Sequence, residues 1–238
     1  MAEHVVFVDA GHGGADPGAV DGTANDNIYS SEETYNLDLA LKYGTALKRC
    51  GIRPIYSRTT DTTISLQQRT SLANQSGAEL FVSWHCNAHY DGSPAKGIEV
   101  FHYPGSASGK KAASAVFNRL DDVSPWADRG VKEARFYVLR YTKMPAILIE
   151  ADFVTNTEAE AALASPSYRL ALAEAAARGT CEYLGVKYVP RGEAPSASYL
   201  KAEIHLAAGD RAAYQKFADE MRDFIKFTPT DKYSFKEW

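Results

Sequence analysis

The chain has 238 residues, 45% of them apolar and 24% charged, with 17 glycines and 10 prolines; this excludes the disordered, collagenous and disulfide-scaffold classes and leaves a globular protein with a sizeable core. A net charge of −4, from 26 basic against 30 acidic residues, gives no drive toward nucleic acid or an anionic membrane. No apolar run approaches the ~20 residues of a bilayer span, residues 1 to 10 lack a basic region followed by an apolar one, and three cysteines without CxxC spacing argue against a disulfide framework or a thiolate zinc cage.

Val5-Val6-Phe7-Val8 reads as a buried strand that opens through Asp9 into a glycine-rich turn. From Glu32 to Arg49, Leu37, Ala40, Leu41, Gly44 and Leu47 recur at helical spacing, with Gly51 as the stop. Ile52 to Ser57 then predicts a strand, Ser65 to Ser76 a helix with Leu66, Arg69, Thr70 and Ala73 on one face, and Leu80 to Trp84 a buried strand. Further strands are expected over Ile98 to Tyr103, Phe136 to Arg140 and Ala146 to Ile149, the last ending at Glu150, with an Ala-rich helix over Ala107 to Leu120. Thr157 with Glu160 resembles a capping box that starts a helix, and a second helix over Tyr168 to Tyr183 should end at Gly185. This alternation predicts an α/β fold, a single layered domain with a mostly parallel sheet of about six strands flanked by helices. His12, His85 and Glu150 are then expected just past strand ends, where such folds bind ligands.

Prolines and small residues across 188–198 predict a linker closing a catalytic domain at 1–187. Beyond it, Tyr214, Phe217, Met221 and Phe224 make an apolar helical stripe, so 199–238 reads as a short helical extension that packs on the domain or on a second copy, which gives a homo-oligomer.

Chemistry concentrates at four places. His12 stands inside the turn Asp9-Ala10-Gly11-His12-Gly13-Gly14, where small neighbours admit a ligand; alone it would read as a turn histidine or part of a phosphate cradle. His85 ends the third strand, and alone would be a satisfied core histidine. Glu32 and Glu33 open a helix, where the dipole favours a carboxylate whatever else it does. Two histidines and a glutamate nevertheless form a recurring catalytic zinc set with one open position. Glu150 follows an apolar strand that could hold it as a general base, although a solvated strand-end charge is the plainer account.

Together these residues resemble the zinc-dependent N-acetylmuramoyl-L-alanine amidases of the Amidase_3 group. The resemblance runs from residue 4 to about 187 and rests on the Asp9 to Gly14 turn with Gly18, Glu32 four residues before Asn36, and Leu66, Arg69, Ala73 and Asn74. It continues through His85, Asn87-Ala88, Gly97-Ile98-Glu99-Val100 and Glu150 with Phe153 and Asn156. It implies one Zn2+ on His12, Glu32 and His85, Glu150 as the catalytic acid or base, and Asn87 facing the substrate. Glu32 keeps the family spacing to Asn36, while the doublet with Glu33 leaves the choice open. Trp84, Cys86 and Asp152 depart from the pattern, glycine being usual at the last. Alternation along a strand keeps Cys86 from sharing a metal with His85, and His89 stays a spare ligand or proton donor.

The implied reaction is hydrolysis of the amide between N-acetylmuramic acid and L-alanine in peptidoglycan, the expected partner, with neither nucleic acid nor membrane insertion. Other readings are a non-catalytic peptidoglycan-binding or regulatory module, and a zinc carboxypeptidase on stem peptides. With no leader visible, the protein is expected to be made in the cytoplasm and released by lysis or a holin, or to be a secreted enzyme lacking its export segment. Regulated family members carry an extra blocking helix; Tyr103 to Gly130 has room for about one helix, which predicts an open site.

Overall fold

The computed structural model describes residues 3–20, 30–89, 94–127 and 129–192. Contacts divide the chain into one unit from Met1 to Pro190 and another from Arg191 to Trp238. The expected linker is described only as far as Gly192, and the expected extension at 199–238 lies outside the described residues.

In chain order the elements are β1 (Val5–Ala10), α1 (Glu32–Arg49), β2 (Arg53–Tyr56), α2 (Leu66–Gln75), β3 (Leu80–Asn87), β4 (Glu99–His102), α3 (Ala107–Asp121), β5 (Val131–Glu133), α4 (Tyr137–Tyr141), β6 (Ala146–Phe153), α5 (Thr157–Ala164) and α6 (Pro166–Leu184). The six strands form one sheet in the order β2-β1-β3-β6-β4-β5. Every neighbouring pair is parallel except β4 with β6. Alternation sends Val6, Val8, Leu80, Val82, Ile147 and Ile149 into a large core beneath α1, α3 and α6. Phe7, Phe81 and Leu148 point the other way, into a smaller core with Ala73 of α2 and Val138 and Leu139 of α4. This second face is covered by short helices, and the site lies on it.

Several expectations change. The run Phe136 to Arg140 is the helix α4 rather than a strand, and the strand of that region is the short, mostly polar β5 before it. Four apolar or aromatic residues in a row, Phe136 to Leu139, carry no decisive period, so length alone favoured the wrong element. His85 and Glu150 sit inside β3 and β6, not beyond them, because both strands continue past their apolar runs. The cap of α5 is Asn156, whose side chain accepts from the backbone N–H groups of Glu158 and Ala159; Thr157 is the first helical residue. The buried face of α1 is centred on Tyr35, Leu39, Ala40, Tyr43 and Leu47, which leaves Leu37 and Leu41 at its margins. Leu66, assigned to the inner face of α2, is 49% exposed. The stop after α1 and the left-handed Gly185 after α6 are as expected.

Candidate metal centre and active site

The turn after β1 is locally unusual: His12 has φ 57°, followed by Gly13 at 123° and Gly14 at 64°. Only local over-determination keeps a non-glycine residue there, and two arginines supply it. Arg58 donates to the carbonyl oxygens of Ala10, Gly11 and Glu33. Arg69, from α2, donates to the carbonyls of Ala10 and His12 and to Asp9 Oδ1, 2.6 Å away. Asp9 and Arg69 are both buried, and Ser83 donates to the other carboxylate oxygen. The sequence marked Arg69 as a helix-face residue and as part of the family resemblance, with no role attached, and did not mark Arg58; a buried arginine directed at carbonyls leaves no periodic trace.

The clamped turn brings His12 to the other two predicted ligands. Glu32 Oε1 lies 3.3 Å from His12 Nε2 and 2.9 Å from His85 Nδ1. The rings are 5.0 Å apart between centroids and near perpendicular. One ligand atom from each of the three residues falls within 4.8 Å of the others. Glu32 is fixed further by N–H donation from Ala19 and Cys86 and by the Asn36 amide. Glu33 turns away to accept from Ser31, so of the doublet it is Glu32 that meets the two imidazoles. Cys86 is buried on the opposite face of β3, as alternation requires. Two glycines make the approach feasible: a Cβ on Gly11 would lie 2.3 Å from the His85 ring, and one on Gly18 would lie 2.5 Å from Glu32 Oε2.

The electrostatics follow from this contact. Burial alone would lower the His12 pKa, but hydrogen bonding and charge from Glu32 and Asp16 outweigh it and raise the pKa to about 9. Burial alone would raise that of Glu32, and the two imidazoles hold it well below the usual carboxylate range. Asp16 accepts from the outer nitrogen of His12 at 2.8 Å, the kind of partner that orients a metal-binding imidazole.

Glu150 is the register partner of His85 across β3 and β6 and stands on the same face. Its Oε2 is buried without a hydrogen-bond partner. Burial first, then the charges of Glu32 and Glu99, push its pKa well above the ordinary value. A cleft of about 430 Å³ joins Glu150 to His12 and His85, walled by Ile64, Leu66, Arg69, Phe136 and Val138. Asn87 is half-buried, with its amide 3.4 Å from Glu99 Oε2, outside the residues lining that cleft. His89 is an exposed residue whose N–H donates to Thr155. Asp152 has φ 131°, a backbone conformation that glycine adopts freely and other residues rarely do. Here its buried carboxylate accepts from the backbone of Gly97 and from the Trp126 indole.

Residues 6–182 match the N-acetylmuramoyl-L-alanine amidase family, Amidase_3. The chain belongs to this family. N-acetylmuramoyl-L-alanine amidase LytC of Bacillus subtilis is 38% identical over 181 residues, 75% of this chain but 35% of LytC; the chain thus spans about a third of that relative. Among solved structures, the N-acetylmuramoyl-L-alanine amidase of Clostridium difficile 630 is 38% identical with a TM-score of 0.72, covering 76% of this chain and 97% of that one. The catalytic domain of CwlV from Bacillus (Paenibacillus) polymyxa is 34% identical with a TM-score of 0.71, covering 77% and 99%. The region shared with these amidases contains the whole His12, Glu32, His85 and Glu150 constellation.

Proposed function

We propose that the protein hydrolyses the amide between the lactyl carbonyl of N-acetylmuramic acid and L-alanine in the peptidoglycan of the bacterial cell wall, with one zinc ion on His12, Glu32 and His85. The single observation carrying this is the convergence of those three side chains from the turn after β1, α1 and β3 beside the unpartnered carboxylate of Glu150. The donor set fits zinc: two imidazoles and a carboxylate match a common catalytic set, and one ligand atom from each lies within 4.8 Å of the others.

Zinc at this position supplies a Lewis acid for the scissile carbonyl and lowers the pKa of water. The remaining work falls to this chain. Glu150, one strand from His85, takes the proton of the attacking water and delivers it to the departing alanine nitrogen. Its apolar surroundings keep its proton affinity high enough for both transfers. Asp16 holds the His12 ring with Nε2 inward, and Asn36 holds Glu32. Asn87, beside Glu99 and just outside the cleft lining, would meet the part of the substrate that extends beyond the cleft. Glu150→Gln is expected to retain zinc stoichiometrically and lose about 10²–10⁴-fold in turnover, whereas His12→Ala loses both. Metal analysis and release of stem peptides from purified sacculi read the two properties separately. Turnover by Glu150→Gln within tenfold of wild type would remove the assigned base.

A further inference from the structure

Across β3, β6 and β4, His85 pairs with Glu150 and Glu150 pairs with Glu99, so three ionisable side chains stand in a row on one face of the sheet. The row does not end there. Lys132 of β5 pairs with Phe101, which shares the face of Glu99 on β4. Lys132 Nζ and Arg129 Nε both reach Glu99 Oε1, each at 2.6 Å, while the Asn87 amide approaches Oε2. Glu99 is 5% exposed at its side chain, but Arg129 and Lys132 are 31% and 41% exposed. Two cations thus face the Glu99 carboxylate, one strand beyond Glu150, and both stay partly open to solvent. Lys132 spends one of its three donors on Glu99 and Arg129 its Nε, so directed N–H groups remain for a second anion. The hydrolytic machinery uses neither cation.

Building on the amidase reading, we propose that Lys132, braced by Arg129 and Glu99, binds the free carboxylate of the stem-peptide residue that follows alanine, and so sets substrate preference. The reach agrees. Strands lie about 4.8 Å apart, so β5 is roughly 10 Å from β6, and two extended residues span about 7 Å, with the lysine side chain covering the remainder. In a muropeptide the lactyl carboxyl is consumed by the scissile amide, so the nearest anion to the cut is this carboxylate. An ammonium and a guanidinium already held by a buried partner lose little freedom on binding it.

The test compares N-acetylmuramoyl-L-alanyl-D-glutamate with N-acetylmuramoyl-L-alanyl-D-isoglutamine, which replaces that carboxylate by its amide. Zinc-loaded wild type is expected to favour the acid by about tenfold in kcat/KM, the scale of one charge-assisted hydrogen bond. Lys132→Met should reduce the acid-over-amide preference below twofold by lowering kcat/KM for the acid substrate selectively, and Lys132→Arg should restore it. A merely structural clamp of β5 would lower both substrates together; that outcome, or a preference unchanged in Lys132→Met, overturns the proposal. Cleavage of neither substrate by wild type overturns the amidase reading itself, a result distinguishable from loss of selectivity.

Discussion

A methyl group on Gly11 would meet the His85 ring at 2.3 Å, closer than any real contact allows. Gly11 follows the end of β1 beside His85 within β3, and Gly11 N–H donates to the Trp84 carbonyl, so the backbone cannot retreat without breaking that bond. The ring must move instead, away from Glu32 Oε1. Gly11→Ala is therefore expected to fold and to bind zinc 10–100-fold more weakly, the range for disturbing groups that position a ligand; competition with a chromophoric chelator measures it, and wild-type affinity would show that the ring relaxes without cost. At this scale the sequence was partly legible. His12, Glu32, His85 and Glu150 stood out because each interrupts an element where its type is chemically costly or useful. Arg58, Asp16, Arg129 and Lys132 did not, since a polar residue in a loop or short strand looks ordinary until its partner is known.

Among elements, α2 is joined to the site through one side chain. Its capping box, Ser65 with Gln68, fixes where the helix begins, and that start aims Arg69 at Asp9 and at the carbonyls of the histidine turn. Removing the guanidinium leaves Asp9 as a buried charge without its ion-pair partner and takes the donor from the His12 carbonyl, while the Ala10 carbonyl keeps only Arg58. Arg69→Met is expected to cost about 3–5 kcal/mol, read as a lower urea midpoint, together with weaker zinc binding. A change below 1 kcal/mol would show that Arg58 alone carries the turn. Arg69→Lys cannot substitute fully, because a single ammonium does not reproduce the planar fork. Long periodic elements such as α1 and α6 were readable because their spacing repeats over several turns. The five residues of α4 were not: they are too short for a period, and contact with α2 and the Phe7–Phe81 core decides their conformation.

For the whole molecule, the triad links β1, α1 and β3, so an ion that occupies it ties together segments distant in sequence. Binding to the folded chain alone adds stability of RT ln(1 + [L]/Kd), about 4 kcal/mol at a thousandfold excess over Kd. Proton linkage gives this a signature. In the metal-free chain His12 has its pKa raised from 6.5 to about 9, because Glu32 and Asp16 outweigh burial. A raised folded value means that its stabilisation is complete below pH 6.5 and disappears as pH climbs through about 9. Glu32, held low, contributes above its ordinary value of 4.5 and loses that contribution only as the solution becomes strongly acidic. Between pH 6.5 and 9 the metal-free melting temperature should therefore fall. Zinc requires the neutral imidazole, so binding at pH 7 must expel the His12 proton, and affinity should rise over the same interval. Scanning calorimetry with chelator and with zinc, across this range, is expected to give curves that diverge as pH rises. Titration calorimetry in two buffers of different ionisation enthalpy should report about one proton released per zinc at pH 7. Parallel melting curves with no buffer dependence would mean that the ion sits elsewhere than on His12.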